Sequence, residues 1–130
     1  MIVIDASVAI EVLLRTAVGQ SAEARLFQPG ETLHAPHLID VEIAQVLRRY
    51  ALSEQVGTSR CVEALADWQA FRVYRYAHEP LLQRVWELRE NITAYDAAYV
   101  ALAEGLEAPL FTCDCGLASA SGPRVRVELV

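Results

Sequence analysis

Lysine is absent from this 130-residue chain, and all 11 of its basic residues are arginine. A phosphoacceptor domain built around Asp5 would want a second acid near it and a lysine, and the chain has no lysine at all. No glycine-rich loop follows the first apolar run, where Asp5-Ala-Ser-Val-Ala stands instead, which argues against a nucleotide-binding fold. Cysteine is sparse: Cys61, Cys113 and Cys115 are an odd number, and the last two are separated by one residue. That is a poor basis for a disulfide framework, so reduced thiols are expected. Nor is the Cys113/Cys115 pair a zinc signature, since structural zinc takes four ligands in a recognisable spacing. His34, His37 and His78 are scattered without a helix-spaced partner and read as surface or packing residues. No apolar run approaches the ~20 residues that cross a bilayer, and the first residues reach Asp5 without a basic leader. A cytoplasmic protein with no membrane contact is the expectation.

What is present is apolar and acidic. Hydrophobic residues make up 54% of the chain, above the roughly 45–50% of an average soluble domain, and the excess suits a partner interface. The formal net charge is −6, the wrong sign for a simple DNA-binding module, whose phosphate contacts come from cations. Four carboxylates gathered around cations would hold four of those charges and leave only −2, so RNA stays open as a substrate. Arginine can also fork onto phosphate oxygens in bidentate fashion. Arg48, Arg49, Arg72, Arg75, Arg124 and Arg126 are candidate contacts, although solvated surface is the role expected of most of them.

The length fits one domain, residues 1–130. Met1 to Ile4 reads as a strand ended by Asp5, and Ala6 to Leu14 as a helix. Ser21 is a plausible N-cap for a helix to Phe27, before Pro29 and Gly30 break the pattern. Thr32 to Ala35 reads as a strand. From Leu38 to Ala51 the apolar positions follow one helical face. Thr58 or Ser59 can cap a helix running to about Trp68. Phe71 to Tyr76 alternates in the manner of a strand, and Pro80 opens a helix reaching Arg89. Thr93 to Glu104 is the next helix, Leu110 to Cys113 a buried strand, and a helical turn after Gly116 precedes a strand from Val125 to Leu129. Strands alternating with helices predict an α/β domain with a mostly parallel central sheet of four to five strands.

Ligands of such sheets bind beyond the carboxyl ends of the strands, where strand order reverses. Asp5 and Asp114 each follow an apolar strand directly and would emerge at that edge if their strands are neighbours. Each also suits the N-cap of the helix that follows. Glu42 lies on the border of an apolar stripe, either solvated near Arg49 or buried beside other acids. Asp96 stands three residues after Thr93, as in a capping box, yet Ala97, Ala98 and Ala101 would let its helix approach a neighbour closely.

Taken together, these segments resemble the VapC-type toxins among the PIN-domain ribonucleases. The likeness covers essentially the whole chain. Its anchors are IVIDASV at Asp5, VEIAQVLRR at Glu42, ITAYDAAYVALAE at Asp96 and LFTCDCGLA at Asp114. The resemblance implies a PIN-like fold whose acids bind Mg2+ or Mn2+ for hydrolysis of RNA phosphodiester bonds. By the same carry-over Asp5, Glu42 and Asp96 are metal-site residues, with Asp114 binding directly or through water. Ser7 is expected to hold a water or a phosphate oxygen, with a helix cap as the plainer role, and Thr112 to orient a neighbour. It further implies a cognate antitoxin, through which alone DNA would be met, and a homodimer. Three positions depart from the pattern: Cys115 and Gly116 stand where basic residues are common, and Gln45 where Asn is common. The competing reading is a PIN-like module that binds RNA or protein without cutting.

Overall fold

The computed structural model describes residues 1–130. Five short strands, β1 (Ile2–Ile4), β2 (Leu33–Pro36), β3 (Val73–Tyr76), β4 (Leu110–Thr112) and β5 (Val127–Leu129), form one sheet in the order β3-β2-β1-β4-β5. Every pairing is parallel, so the sheet is wholly rather than mostly parallel. The chain winds outward from β1 to β3 and then returns to β4 on the other side of β1. The reversal of strand order therefore falls between β1 and β4, where Val3 pairs with Leu110 and Ile4 with Phe111.

Parallel neighbours need crossovers, and seven helices supply them. Between β1 and β2 run α1 (Ala6–Leu13) and α2 (Ala17–Leu26); between β2 and β3, α3 (Ile39–Leu52) and α4 (Thr58–Ala70). A 3-10 turn at Glu79–Leu81, α5 (Leu82–Glu87) and α6 (Ala94–Leu106) lead to β4, and α7 (Cys115–Ser119) leads to β5. Helix α1 packs on α2, α3 and α4, while α6 lies against β1, β2 and β4 with α5 beside it. Strands β1 and β4 are buried at every residue, which is why they read as unbroken apolar runs rather than alternating ones.

Two helix starts differ from the expectation. Helix α2 begins at Ala17, not after Ser21, because Thr16 is its cap and accepts from the Gly19 N–H at 3.0 Å. Gly19 sits at the junction with α1, where a Cβ would come within 2.1 Å of the Glu11 carbonyl oxygen. Residues 79–89 divide into a 3-10 turn and a six-residue helix rather than one helix. Helix α7 begins at Cys115, one residue before Gly116, because Asp114 caps it. The remaining boundaries shift by one or two residues. All three cysteines are free thiols.

Candidate active site

Asp5 is the first residue after β1 and the N-cap of α1, so a single side chain joins strand end, helix start and the point where strand order reverses. Its Oδ1 accepts from the Val8 N–H at 3.1 Å and from the Ser7 hydroxyl at 2.5 Å. Its Oδ2 accepts from the Thr112 hydroxyl at the end of β4. The side chain is 7% exposed. Burial holds its carboxyl above the usual carboxylate range despite these donors.

Ser7 does not cap α1, whose N-cap is Asp5; it lies in the first turn of that helix. While donating to Asp5 it accepts from the Cys113 N–H at 2.9 Å, tying α1 to the residue just beyond β4. Thr112 likewise donates to Asp5 and accepts from the Asp114 N–H at 2.9 Å. The two hydroxyls thus lock the Asp5 carboxylate between β1 and β4. Asp114 caps α7, its Oδ1 accepting from Gly116 N–H at 2.6 Å and Leu117 N–H at 3.3 Å, and it is exposed.

Glu42, on the first turn of α3, is half-buried and not the solvated flank residue that its sequence position also allowed. The Tyr99 hydroxyl donates to its Oε2. Burial raises the Glu42 carboxyl, and the charges of Asp5 and Asp96 raise it further, while the bond from Tyr99 opposes them. Tyr99 is buried on α6 and joins the site although the sequence does not single it out. The available signal was its place one turn after Asp96, on the helix that brings the third acid. Burial and the Glu42 bond push its phenol well above the usual range, so it remains a donor.

Asp96 lies on the first turn of α6. The Thr93 hydroxyl accepts from the Asp96 N–H at 3.2 Å, which is half of a capping box, and no return bond to the Thr93 N–H is made. The carboxylate instead lines a cleft of about 540 Å³ with Asp114, Arg89, Asn91, Thr93 and Gly116. Burial raises the Asp96 carboxyl against the opposing effect of the Thr93 side chain, and the charge of Asp114 adds to the rise. All four acids are therefore coupled: Glu42 to Asp5 and Asp96, and Asp96 to Asp114.

This donor set fits a hard divalent cation. Three of the carboxyls are held toward their neutral forms, Asp5 by burial and Glu42 and Asp96 by burial and like charge, a conflict that a cation among them relieves, and all offered ligands are oxygen. No three His, Cys, Asp or Glu side chains form a ready-made ligand cluster. Cys113 is half-buried and Cys115 exposed, with no further soft ligand gathered beside them.

Several arginines considered for RNA lie elsewhere. Arg75 pairs with Asp40 at 2.9 Å and lies over the Trp68 ring. Arg72 directly precedes β3, and Arg124 and Arg126 line a groove with Pro109 just before β4, at the amino edge of the sheet, away from the acids. Arg89, not among those considered, is the only basic residue lining the cleft of Asp96 and Asp114.

A doubly wound parallel sheet with four acids drawn to its reversal point defines a class, and the PIN domain family model matches residues 2–122. Ribonuclease VapC9 of Mycobacterium tuberculosis is 42% identical over 130 residues, covering 100% of this chain and 98% of that protein. Ribonuclease VapC12 of the same organism is 40% identical, covering 100% and 99%. Among solved structures, VapBC2 from Rickettsia felis bound to a promoter DNA fragment superposes with a TM-score of 0.73 at 14% identity, covering 100% of this chain and 99% of that one. The chain belongs to the PIN-domain family, and within it to the VapC ribonucleases.

Proposed function

We propose that this chain is an endoribonuclease toxin that hydrolyses RNA phosphodiester bonds with the help of Mg2+ or Mn2+. The observation that carries the reading is that Asp5 and Asp96, from two other elements, both bring their charge to bear on Glu42 at the reversal point of the sheet. Likeness to named VapC ribonucleases over the full chain supports it.

Asp5, Glu42 and Asp96 would hold the ion, with Asp114 reaching it directly or through water. Bound there, a divalent cation supplies Lewis acidity, acidifying water and offsetting charge on the phosphoryl group. The protein's own part is positioning. Ser7 and Thr112 fix both oxygens of Asp5, Tyr99 fixes Glu42, and the cap of α7 fixes Asp114. A carboxylate already oriented loses little freedom on binding a cation, which favours a defined approach of water to phosphorus.

An antitoxin partner and a homodimer are part of the same reading, supported by the VapBC2 likeness and by two apolar surfaces. Val41, Leu52, Val62 and Leu65 are exposed on the adjoining α3 and α4. Leu82 and Tyr95 flank a separate groove lined by Leu38, Leu81, Val85 and Ala98. No helix is long and apolar enough to cross a membrane.

Cleavage of a panel of structured RNAs by the purified, antitoxin-free protein tests the proposal. Cutting should require Mg2+ or Mn2+, stop with EDTA and be lost in Asp96→Asn. Wild type and variant equally inert across the panel would overturn it in favour of a binding module.

A further inference from the structure

The basic residues expected after Asp114 are missing, and their places are taken by Cys115 and Gly116. At Gly116 an added Cβ would meet nothing but the Asp114 side chain, so that wall of the cleft is open. The same cleft holds one cation, Arg89, contributed from the turn after α5. An acidic cleft that must receive a polyanion needs such a charge near the point of attack, because every carboxylate there repels phosphate.

Arg89 is held ready without being neutralised. Its Nη1 donates to the Trp86 carbonyl at 3.0 Å, and its guanidinium lies 4.9 Å from the centre of the Trp86 ring. Its nearest carboxylate, Glu90, stands at 3.5 Å and is 79% exposed, a pairing that solvent screens. Most of its five N–H donors thus remain free for a phosphate. The other firmly paired arginines contrast with it: Arg84 forks onto Glu104, and Arg75 is bound to Asp40.

Trp86 is unusual in its own right, for its ring is 68% exposed while the chain's other tryptophan, Trp68, is buried. An exposed ring beside a phosphate-binding guanidinium is the arrangement by which proteins hold single-stranded nucleic acid, one group taking the backbone and the other a base. We propose that Arg89 binds a phosphate of the RNA beside the scissile one, replacing the cation missing after Asp114, and that Trp86 stacks on an unpaired base next to it. The proposal rests on the ribonuclease reading for the identity of its polyanion.

The test separates binding from cutting. In the Asp96→Asn background, with magnesium present, fluorescence anisotropy measures binding of a short labelled single-stranded RNA of mixed sequence and of the same sequence paired into a hairpin stem. Arg89→Ala should weaken single-strand binding about tenfold and lower the slope of log affinity against log salt by about 0.7. Trp86→Ala should weaken single-strand binding about tenfold, leave the stem nearly unchanged, and be largely rescued by Trp86→Phe. Arg72→Ala, at the opposite edge of the sheet, should change neither. Arg89 and Trp86 are both exposed, so melting temperatures should stay near the parent's, and Arg89→Glu offers a second variant with a larger loss.

Equal losses in Arg89→Ala and Arg72→Ala, or unchanged binding in Arg89→Ala, would overturn the phosphate site. A Trp86→Ala protein that binds RNA normally but changes its sedimentation would overturn the stacking role and make the ring a protein contact. Arg89-dependent binding beside a wild type that cuts nothing would sustain this inference while sinking the ribonuclease reading; Asp96-dependent cutting beside Arg89-independent binding would do the reverse.

Discussion

Asp5→Asn should abolish cutting and yet make the metal-free protein more stable. The raised carboxyl of Asp5 means that its ionised form, hydrogen bonds included, is less favourable in the fold than in water. The sign follows directly: stability from its neutral form is fully present below the unfolded pKa and is lost as pH rises through the folded one. At neutral pH the wild type carries that penalty and the amide does not. Asparagine keeps an acceptor for Val8 N–H and Ser7, and its NH2 meets the Thr112 hydroxyl, which can turn to accept while still receiving the Asp114 N–H. Rearranging that one hydrogen bond costs about 1 kcal/mol, against a buried charge whose removal is worth about 2 to 3 kcal/mol. The net gain of about 1 to 2 kcal/mol is roughly 4 to 8 °C in melting temperature for a chain of this size. Manganese should reverse the ranking. At a hundredfold excess over its dissociation constant an ion adds about 2.7 kcal/mol to a protein that binds it only when folded. The wild type should gain this and Asp5→Asn should not. Thermal melts in EDTA and in Mn2+, at neutral pH and near pH 5, check every arm, and the advantage of Asp5→Asn in EDTA should shrink at the lower pH. A variant that melts below wild type in EDTA, or that gains as much from Mn2+, would refute the placing of a buried, cation-seeking charge at the end of β1.

Tyr99→Phe removes one hydroxyl and leaves Glu42 without its fixed donor. It should cost about 1 kcal/mol in a denaturant titration and lower kcat about tenfold with little change in KM, since no contact with RNA is lost. Arg84→Ala strips Glu104 of a fork at 2.7 and 3.1 Å and frees the Gly122 carbonyl, loosening the segment before β5. A loss of about 2 kcal/mol is expected by chemical denaturation. The arginine holds the Glu104 carboxyl below its ordinary range against the opposing effect of burial, so this stability is present above the unfolded pKa and fades as pH falls through the folded one. Gly19→Ala drives a methyl to 2.1 Å from the Glu11 carbonyl oxygen and should lower the melting point by roughly 10 °C, a cost of about 3 kcal/mol. A fall under 2 °C would mean that α1 and α2 part easily.

What the sequence made legible was whatever depends on neighbours along the chain. The strands at Ile2–Ile4 and Leu110–Thr112 announced themselves as apolar runs ended by Asp, and the 3.6-residue stripe of α3 placed Glu42 at its border. What it concealed depends on packing. Ser21 is as good a cap as Thr16 by residue type, and only the contact of Gly19 with α1 selects the earlier start. Arg89 has little in its local sequence that sets it apart from the other ten arginines; the β3-to-β4 crossover carries it to the cleft of Asp114. The one sequence hint was Trp86 three residues earlier, on the same side of a helical turn.

The weighing of cap against site for each acid turns out to oppose two things that the topology makes one. When a helix follows a parallel strand after one or two residues, the last of them is both the N-cap and a group standing at the carboxyl edge, as Asp5 and Asp114 are. Capping engages one carboxylate oxygen and fixes the rotamer, while at Asp114 the second oxygen has no protein donor and at Asp5 it meets Thr112 at the neighbouring strand. A cap at such a position is thus part of how a ligand is aimed. Asp96 separates the two roles by its backbone: its N–H serves the Thr93 cap and its carboxylate is left to the cleft. Glu42 caps nothing and is bound by a tyrosine from another helix, so it is the acid whose burial owes nothing to local helix chemistry. For that reason Glu42, the residue with the plainest solvated alternative in the sequence, bears the most independent weight in the structure.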